Sequence, residues 1–370
     1  MLWRHGSIHV RVKSVFTAAQ VRGYQFPGKG REVSGRVLIT GATGFVGRAV
    51  AHRCERSGWE VRTTGRTANE PTGLPDYRRA DLLDEETLRP LSRGVDCVIH
   101  AAGLAHRWGR AGADRDAFYA VNVDGTENVA RSAAAAGVAH LVLISSVAVY
   151  GSLGESATLE TDACRPRGSY AESKYLAEQR ALAVASDAGM KITILRLATV
   201  YGAGDPGNVA RLMRTIDRGR FVWLGGGANR KSLMHRDDVA RACEAVLRPP
   251  PAPRQSTIYN LTGPPYTMQE IAGGLAEALG KRLPRWHVPA APLLQSTGCA
   301  ARFLGGRGPV GRVHRTLDKW LADDVYDGSQ FNRQYDFSPQ VELLQGLQEE
   351  VAWYRQKTSG AVGQRGEMES

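Results

Sequence analysis

Tyr170-Ala171-Glu172-Ser173-Lys174 sets a phenol and an amine four residues apart, and on a helix that spacing puts both on one face. Ser145-Ser146 lies upstream of them and adds a hydroxyl. A hydroxyl, a phenol and an ammonium brought together can hold a carbonyl or alcohol oxygen and exchange a proton with it while a hydride moves. Further upstream, Gly41-Ala42-Thr43-Gly44-Phe45-Val46-Gly47 offers a seat for the dinucleotide that such a transfer needs. Neither motif decides much alone. With 12 Tyr and 8 Lys in 370 residues, chance supplies about a quarter of a Tyr-x-x-x-Lys match before any helical geometry is required. The order of the parts carries the chemistry.

The elements that would position these groups follow from the apolar pattern. Arg36-Val37-Leu38-Ile39-Thr40 is a short apolar run that ends at glycines, so it reads as a buried strand, and Val46 to Arg56 as the helix after it. Missing Cβ atoms at Gly41, Gly44 and Gly47 let the backbone turn sharply. They also let a pyrophosphate approach free N–H groups at the helix start. The spacing is Gly-x-x-Gly-x-x-Gly, and a mere tight turn is the plain alternative. Strands at Glu60–Thr64, Asp96–His100, Leu141–Ser145 and Lys191–Leu197 alternate with helical stretches, the longest from Tyr170 to about Ala188. That rhythm predicts an α/β chain with a Rossmann-type doubly wound parallel sheet.

After Thr199 the pattern breaks into loops, and Pro249 to Pro253 forms a stiff connector. We therefore expect a basic extension at 1–34 and a dinucleotide-binding domain at 35–200, partly rejoined by 233–262. A smaller C-terminal substrate-binding lobe would take 201–232 and 263–355, with a disordered tail at 356–370.

The 42% hydrophobic and 23% charged content is globular. No run approaches the length of a membrane span, so no membrane partner is expected. Five scattered cysteines without Cys-x-x-Cys spacing suggest neither disulfides nor a metal site, and hence a cytoplasmic protein. The net charge of +11 points less to nucleic acid than it first suggests. Within 1–36, Arg4, Arg11, Lys13, Arg22, Lys29, Arg31 and Arg36 stand against Glu32 alone. The remaining excess is spread thinly, with no basic run interleaved with aromatics, so no nucleic-acid partner is expected. The first 34 residues share composition with organelle transit peptides. Without an amphipathic period they read better as a disordered extension or as residues ahead of the true start.

The cofactor's adenosine ribose is usually recognised at the end of the second strand by an acidic side chain. Here that end reads Thr64-Gly65-Arg66. Arg66 is suited to a 2′-phosphate, with Arg48 in support, so NADP(H) is favoured. Arg66 as a solvated strand end leaves NAD(H) open.

With these residues in hand, the chain resembles the extended short-chain dehydrogenase/reductase family, in its nucleotide-sugar epimerase/dehydratase branch. The likeness rests on the glycine triplet, Asp81-Leu82, His100-Ala101-Ala102, Val121-Asn122-Val123-Asp124-Gly125-Thr126 and Ser145-Ser146-x-x-Val149-Tyr150-Gly151. Tyr170-x-x-x-Lys174, Val200-Tyr201-Gly202 and Asn229 to Val239 complete it. The resemblance implies Ser146, Tyr170 and Lys174 as catalytic groups, with Ser146 and Tyr170 also touching substrate. It implies a dinucleotide held by Gly41, Thr43, Gly44, Phe45, Val46, Gly47, Arg66, Asp81, Leu82, Ala101, Ala102, Asn122 and Lys174. For Asp81, a simple helix N-cap is an equal alternative. For Asn122, bracing of the active-site backbone is expected, and for His100 a packed structural role. His106 and Trp108 follow on a loop that could touch the sugar. At the nucleotide end Asn208, Arg230 and Lys231 match substrate contacts, Lys231 standing where the family has an Arg. A homodimer through helices around 115–136 and 168–187 is implied as well. Lys174 and an oxidised nicotinamide would lower the Tyr170 phenol from its ordinary pKa of about 10.

Dehydratases of this branch carry an acidic pair beside the catalytic hydroxyl, whereas Val147-Ala148-Val149 follows Ser146 here. That leaves a C4 epimerase or a 4-ketoreductase acting on a UDP-sugar, including UDP-N-acetylhexosamine derivatives. Two other classes stay in view. One is a hydroxysteroid- or flavonol-type dehydrogenase for an uncharged alcohol, against which Asn208, Arg230 and Lys231 argue. The other is a dinucleotide-binding redox sensor without catalysis.

Overall fold

Val37, Leu38 and Ile39 are all sealed from water in β1 (Arg36–Thr40), as expected of a strand covered on both faces. The computed structural model describes residues 35–68, 73–105, 111–151, 156–248, 256–290, 292, 294–296 and 320–366. Around β1 lie β2 (Glu60–Gly65), β3 (Tyr77–Arg79), β4 (Cys97–His100), β5 (His140–Ser146) and β6 (Lys191–Leu197). With β10 (Ser256–Leu261) they form one seven-stranded parallel sheet in the order β10-β6-β5-β4-β1-β2-β3. Strand order reverses between β1 and β4, where such sheets open a crevice at the strands' carboxyl ends. β3 escapes the sequence pattern because it is a polar edge strand of three residues.

Two helical layers cover the sheet. On one face α1 (Phe45–Arg56) packs beside α7 (Arg236–Leu247) through Val50, Ala51, Cys54, Val239, Cys243 and Val246. Arg53 and Glu244 join them in an ion pair at 3.0 Å. On the other face lie α2 (Glu85–Ser92), α4 (Gly125–Ala135) and α5 (Ser169–Ala188). Ala130, Ala133, Ala181 and Ala185 are fully buried there; side chains this small let helices approach closely. α3 (Ala111–Phe118) runs into one wide π-helical stretch, Tyr119–Asp124, before α4.

The rest of the chain builds a smaller lobe. β9 (Arg230–His235) pairs parallel with β7 (Thr199–Tyr201) and antiparallel with β11 (Pro265–Thr267). β8 (Trp223–Leu224) pairs with β12 (His287–Val288). α6 (Asn208–Asp217), α8 (Met268–Leu279) and the C-terminal helix Leu343–Gly366 enclose a second core around Tyr201, Met213, Leu275 and Leu347. Thr267 and Glu270 form a reciprocal capping box at the start of α8, a device that stabilises a helix by about 1 kcal/mol. Between lobe segments the chain returns to the large sheet through α7 and β10. The C-terminal helix continues to Gly366, into the stretch whose composition predicts a tail. Good helix formers such as Gln356 and Lys357 extend a helix that Leu347 and Val351 anchor in the core.

Cys54, Cys97, Cys164 and Cys243 are unpaired thiols, while Cys299 lies outside the described residues. So do residues 1–34, His106, Trp108 and the proline connector. Among the described residues no helix is long and apolar enough to cross a membrane.

Candidate active site

The glycine turn between β1 and α1 is fixed by backbone crowding. Gly41 has φ +70°, and a Cβ there would stand 2.5 Å from the Cα of Ala102. A Cβ on Gly47 would stand 2.2 Å from the Gly41 carbonyl oxygen. These two glycines thus let the turn lie against Ala101-Ala102 and let α1 lie against the turn. At Gly44 the neighbour is the same carbonyl oxygen at 3.2 Å, and both Thr43 and Gly44 are exposed. Gly44 is the N-cap of α1, with no side-chain cap and no acidic residue in the first turn. Phe45 and Val46, half-buried, therefore begin a helix whose first N–H groups have no side-chain acceptor at the cap. An uncapped helix start with a bare approach fits a diphosphate.

Ser146, Tyr170 and Lys174 arrive from two elements that α5 packs together. Ser146 is the last residue of β5 and caps the short 3₁₀ turn Val147–Tyr150, its Oγ accepting the Ala148 N–H at 3.2 Å. Successive strand residues point to opposite sides, so Ser145 faces the interior and donates to Glu178 at 2.5 Å. Ser146 is left on the side of Tyr170, where its hydroxyl favours the phenolate. Lys174, one turn further along α5, is buried and donates from Nζ to the Ile144 carbonyl at 2.6 Å. Burial depresses its pKa to about 8, partly opposed by Glu178. For Tyr170 the expected lowering does not come from the chain itself. Burial raises the phenol above its ordinary value, and the neighbouring Ser146 hydroxyl only partly offsets this.

Behind these groups the packing is closely specified. Asn122 sits in the π-helical stretch; its Oδ1 accepts the Leu104 N–H at 2.8 Å, and Nδ2 donates to the Leu104 carbonyl and Ser173. The amide is thus committed to bracing the loop after β4 rather than to a dinucleotide. π-helical turns recur at functional sites, and here the wide turn aims Asn122 across that loop. His100 bonds Thr40 at 2.6 Å and Thr126 at 3.0 Å. Burial holds it neutral, with its pKa near 3, so its role is structural. Asp81 is exposed, and its Oδ1 accepts the Leu83 N–H at 3.0 Å. The N-cap of α2 is Asp84, not Asp81. Leu82 is buried against Gly125. Arg66 stands exposed just past β2.

The residues expected to meet the substrate's nucleotide are present but differently engaged. Asn208 is exposed at the first position of α6, and Asp205, a buried residue the sequence does not single out, accepts the Gly207 and Ala210 N–H groups. Arg230 forks onto Asp323 at 3.1 and 3.3 Å. Lys231 donates to the Ala322 carbonyl at 2.8 Å and lies 3.4 Å from Asp324. The cations expected to meet a diphosphate are therefore paired with carboxylates some 93 residues downstream. No local motif announces such a pairing.

Two further groups bring together residues from distant parts of the chain. Glu178 and Arg196 form a buried pair at 2.7 Å beneath the 3₁₀ turn. His235, Asp237 and Glu349 gather where the C-terminal helix meets the β9–α7 junction, the sole trio of potential metal ligands among the described residues. There the His235 Nε2 approaches Glu349 at 3.6 Å.

A family model described as the NAD dependent epimerase/dehydratase family matches residues 37–262. The chain is 29% identical over 346 residues to a dTDP-glucose 4,6-dehydratase of Streptomyces griseus, covering 87% of this chain and 95% of that one. It is 30% identical over 265 residues to a UDP-glucose 4-epimerase of Vibrio cholerae, covering 70% and 80%. Among solved structures, MoeE5 in complex with UDP-glucuronic acid and NAD aligns at TM-score 0.70 with 27% identity, covering 87% of this chain and 100% of that one.

Proposed function

Because the chain belongs to the NAD-dependent epimerase/dehydratase family, we propose that it moves a hydride at C4 of a UDP-linked hexose, as a C4 epimerase. The observation that carries this reading is Lys174, buried and fastened to the Ile144 carbonyl at 2.6 Å one helical turn from Tyr170, with Ser146 at the end of the adjoining strand. Support comes from relatives named for UDP-glucose epimerisation and for complexes with UDP-glucuronic acid and NAD. Dehydration is set aside because Val147, Ala148 and Val149, none of them acidic, follow Ser146.

Bound at the Gly41–Gly47 turn, a nicotinamide dinucleotide would supply the hydride acceptor and donor. The chain's own residues do the rest. Tyr170 exchanges a proton with the C4 oxygen, and Ser146 holds that oxygen by a hydrogen bond. Lys174 contributes positive charge that favours phenolate. Thr43, Gly44, Phe45 and Val46 line the approach to the diphosphate, and Ala101-Ala102 back it. Asn208, Arg230 and Lys231 would take the substrate's nucleotide end. The exposed Leu176 of α5 fits burial in a homodimer through α4 and α5.

A 4-ketoreductase using NADPH is the second reading, favoured by Arg66 standing where a ribose-binding carboxylate is usual. One experiment separates the two. The purified protein is denatured, its released small molecules are identified by mass spectrometry, and the native protein is incubated with UDP-N-acetylglucosamine and UDP-glucose. Retained NAD+ and formation of the C4 epimer without added cofactor are expected. An empty protein that oxidises NADPH with a 4-keto sugar supports the reductase, and no dinucleotide binding under any condition overturns both.

A further inference from the structure

Glu178 is wholly buried and Arg196 nearly so, and neither touches the groups assigned a chemical role above. The Glu178 carboxylate accepts the Ser145 hydroxyl at 2.5 Å and the Arg196 fork at 3.0 and 2.7 Å. Arg196 in turn donates to the Tyr150 hydroxyl at 2.9 Å and lies 4.9 Å over that ring. Tyr150 donates onward to Asn260 at 2.7 Å. Ser145 immediately precedes Ser146, and Tyr150 closes the 3₁₀ turn that Ser146 caps. Both ends of the short segment bearing Ser146 are therefore fastened to one ion pair. Glu178 also follows Lys174 by four residues, one turn along the same face of α5.

Stability alone gives little reason for such a pair, since apolar residues of similar volume usually serve as well or better. The Arg fork instead supplies fixed directions. We propose that Glu178, held by Arg196, is a positioning residue for the reacting centre: it fixes the segment that presents Ser146 and places one compensated negative charge behind Lys174. This rests on the reading of Tyr170 and Lys174 given above.

The surroundings of Lys174 leave Glu178 as its main charged neighbour. From β4, His100 is neutral. From the π-helical stretch, Tyr119 bonds Glu172, and from α4, Glu127 is taken by Arg131 and Arg180 at the surface. Cys164, half-buried, lies against Arg196 and Glu178, and Tyr150 is kept protonated by burial. Removing the Glu178 charge leaves Arg196 unopposed beside Lys174. The ammonium is then disfavoured, and the Tyr170 phenolate loses its support.

The test is an ultraviolet titration of the Tyr170 phenolate with saturating NAD+, read as the difference between each protein and its Tyr170→Phe counterpart. Glu178→Gln should raise the midpoint by about 1 pH unit. The double variant Glu178→Gln/Arg196→Met, which leaves neither half of that pair unopposed, should fold by circular dichroism and fall between Glu178→Gln and the parent. If Glu178→Gln fails to fold, a raised midpoint in the double variant carries the test. Folded variants with the parent's midpoint overturn the proposal, even if they melt earlier, because a merely structural pair predicts that result. A parent protein whose signal is unchanged by Tyr170→Phe would instead remove the reading of Tyr170, and this inference with it.

Discussion

Lys174 and Lys231 each donate to a backbone carbonyl, Ile144 at 2.6 Å and Ala322 at 2.8 Å, yet their surroundings differ. Lys174 is buried between the end of β5 and the loop after β4 and touches no carboxylate directly. Lys231 and its neighbour Arg230 lie nearer solvent, each with an aspartate as partner. Where water is excluded, a charge interacts strongly and its pKa moves, so few such groups are tolerated and each is placed. Where water enters, opposite charges meet at little cost and separate at little cost. The proposed reacting end is thus held by buried bonds, while the cations proposed to meet a nucleotide lie in pairs nearer solvent.

The largest expected effect tests the buried end directly. Tyr170→Phe removes one hydroxyl without changing the packing against Phe118, and turnover should fall by about 10²- to 10⁴-fold. Dinucleotide affinity, measured by calorimetry, should change little. A variant that keeps a tenth of parental turnover would break the comparison at its root. Ser146→Ala comes next, with a loss of about 10²-fold in kcat. Ser145→Ala, which faces Glu178 instead, should reduce turnover less; equal losses would show that the two hydroxyls are not distinguished.

A smaller effect follows from the Lys174 pKa. Burial brings it from 10.5 to about 8, so the ammonium is present below that pH and is lost as pH rises through it. The kcat profile should therefore carry a limb that falls above about pH 8. For stability the sign is reversed. Between about 8 and 10.5 the unfolded chain binds the extra proton, so thermal unfolding should be less easily reached as pH rises through that window. Lys174→Met, which removes the titrating group, should flatten this dependence. A kcat profile level to about pH 10 would show that the ammonium is not needed.

This contrast also explains what the sequence discloses. β1, β4, β5 and β6 are legible because burial on both faces demands continuous apolar runs, and the turn is legible because backbone crowding at Gly41 and Gly47 admits no side chain. The assignment of Ser146 over Ser145 has its physical basis in strand alternation. Less legible is anything settled by a distant partner. The role of Glu178 depends on Arg196 from another strand, and the state of Arg230 depends on Asp323 beyond a long intervening segment. The acidity of the phenol is settled by more than neighbours in sequence: burial pushes Tyr170 upward in the chain alone, against the lowering expected from Lys174 and an oxidised nicotinamide. The expected return of 233–262 to the large domain covers β10, but the strand itself, coming only after the proline connector, has no pattern that singles it out.

The smallest effect concerns the exchangeable pairs and bears most on substrate class. Asp323 is held below the usual carboxylate range by the Arg230 backbone N–H and then by its guanidinium, so it is ionised at neutral pH and competes for the cation that a diphosphate would use. Exposed pairs of this kind are worth about 0.2–1 kcal/mol each. Asp323→Asn and Asp324→Asn should therefore tighten UDP binding by about 2- to 5-fold apiece at low salt. The gain should shrink as salt is raised, because screening weakens both the internal pair and the diphosphate contact. Isothermal titration of UDP into the parent and the two variants measures this. If the parent binds UDP and the variants bind it no better, the diphosphate does not displace the aspartates, and Arg230 and Lys231 serve the lobe's structure. If none of the three binds UDP, the cations are permanently neutralised, and a dehydrogenase for an uncharged alcohol becomes the better account of the same reacting centre.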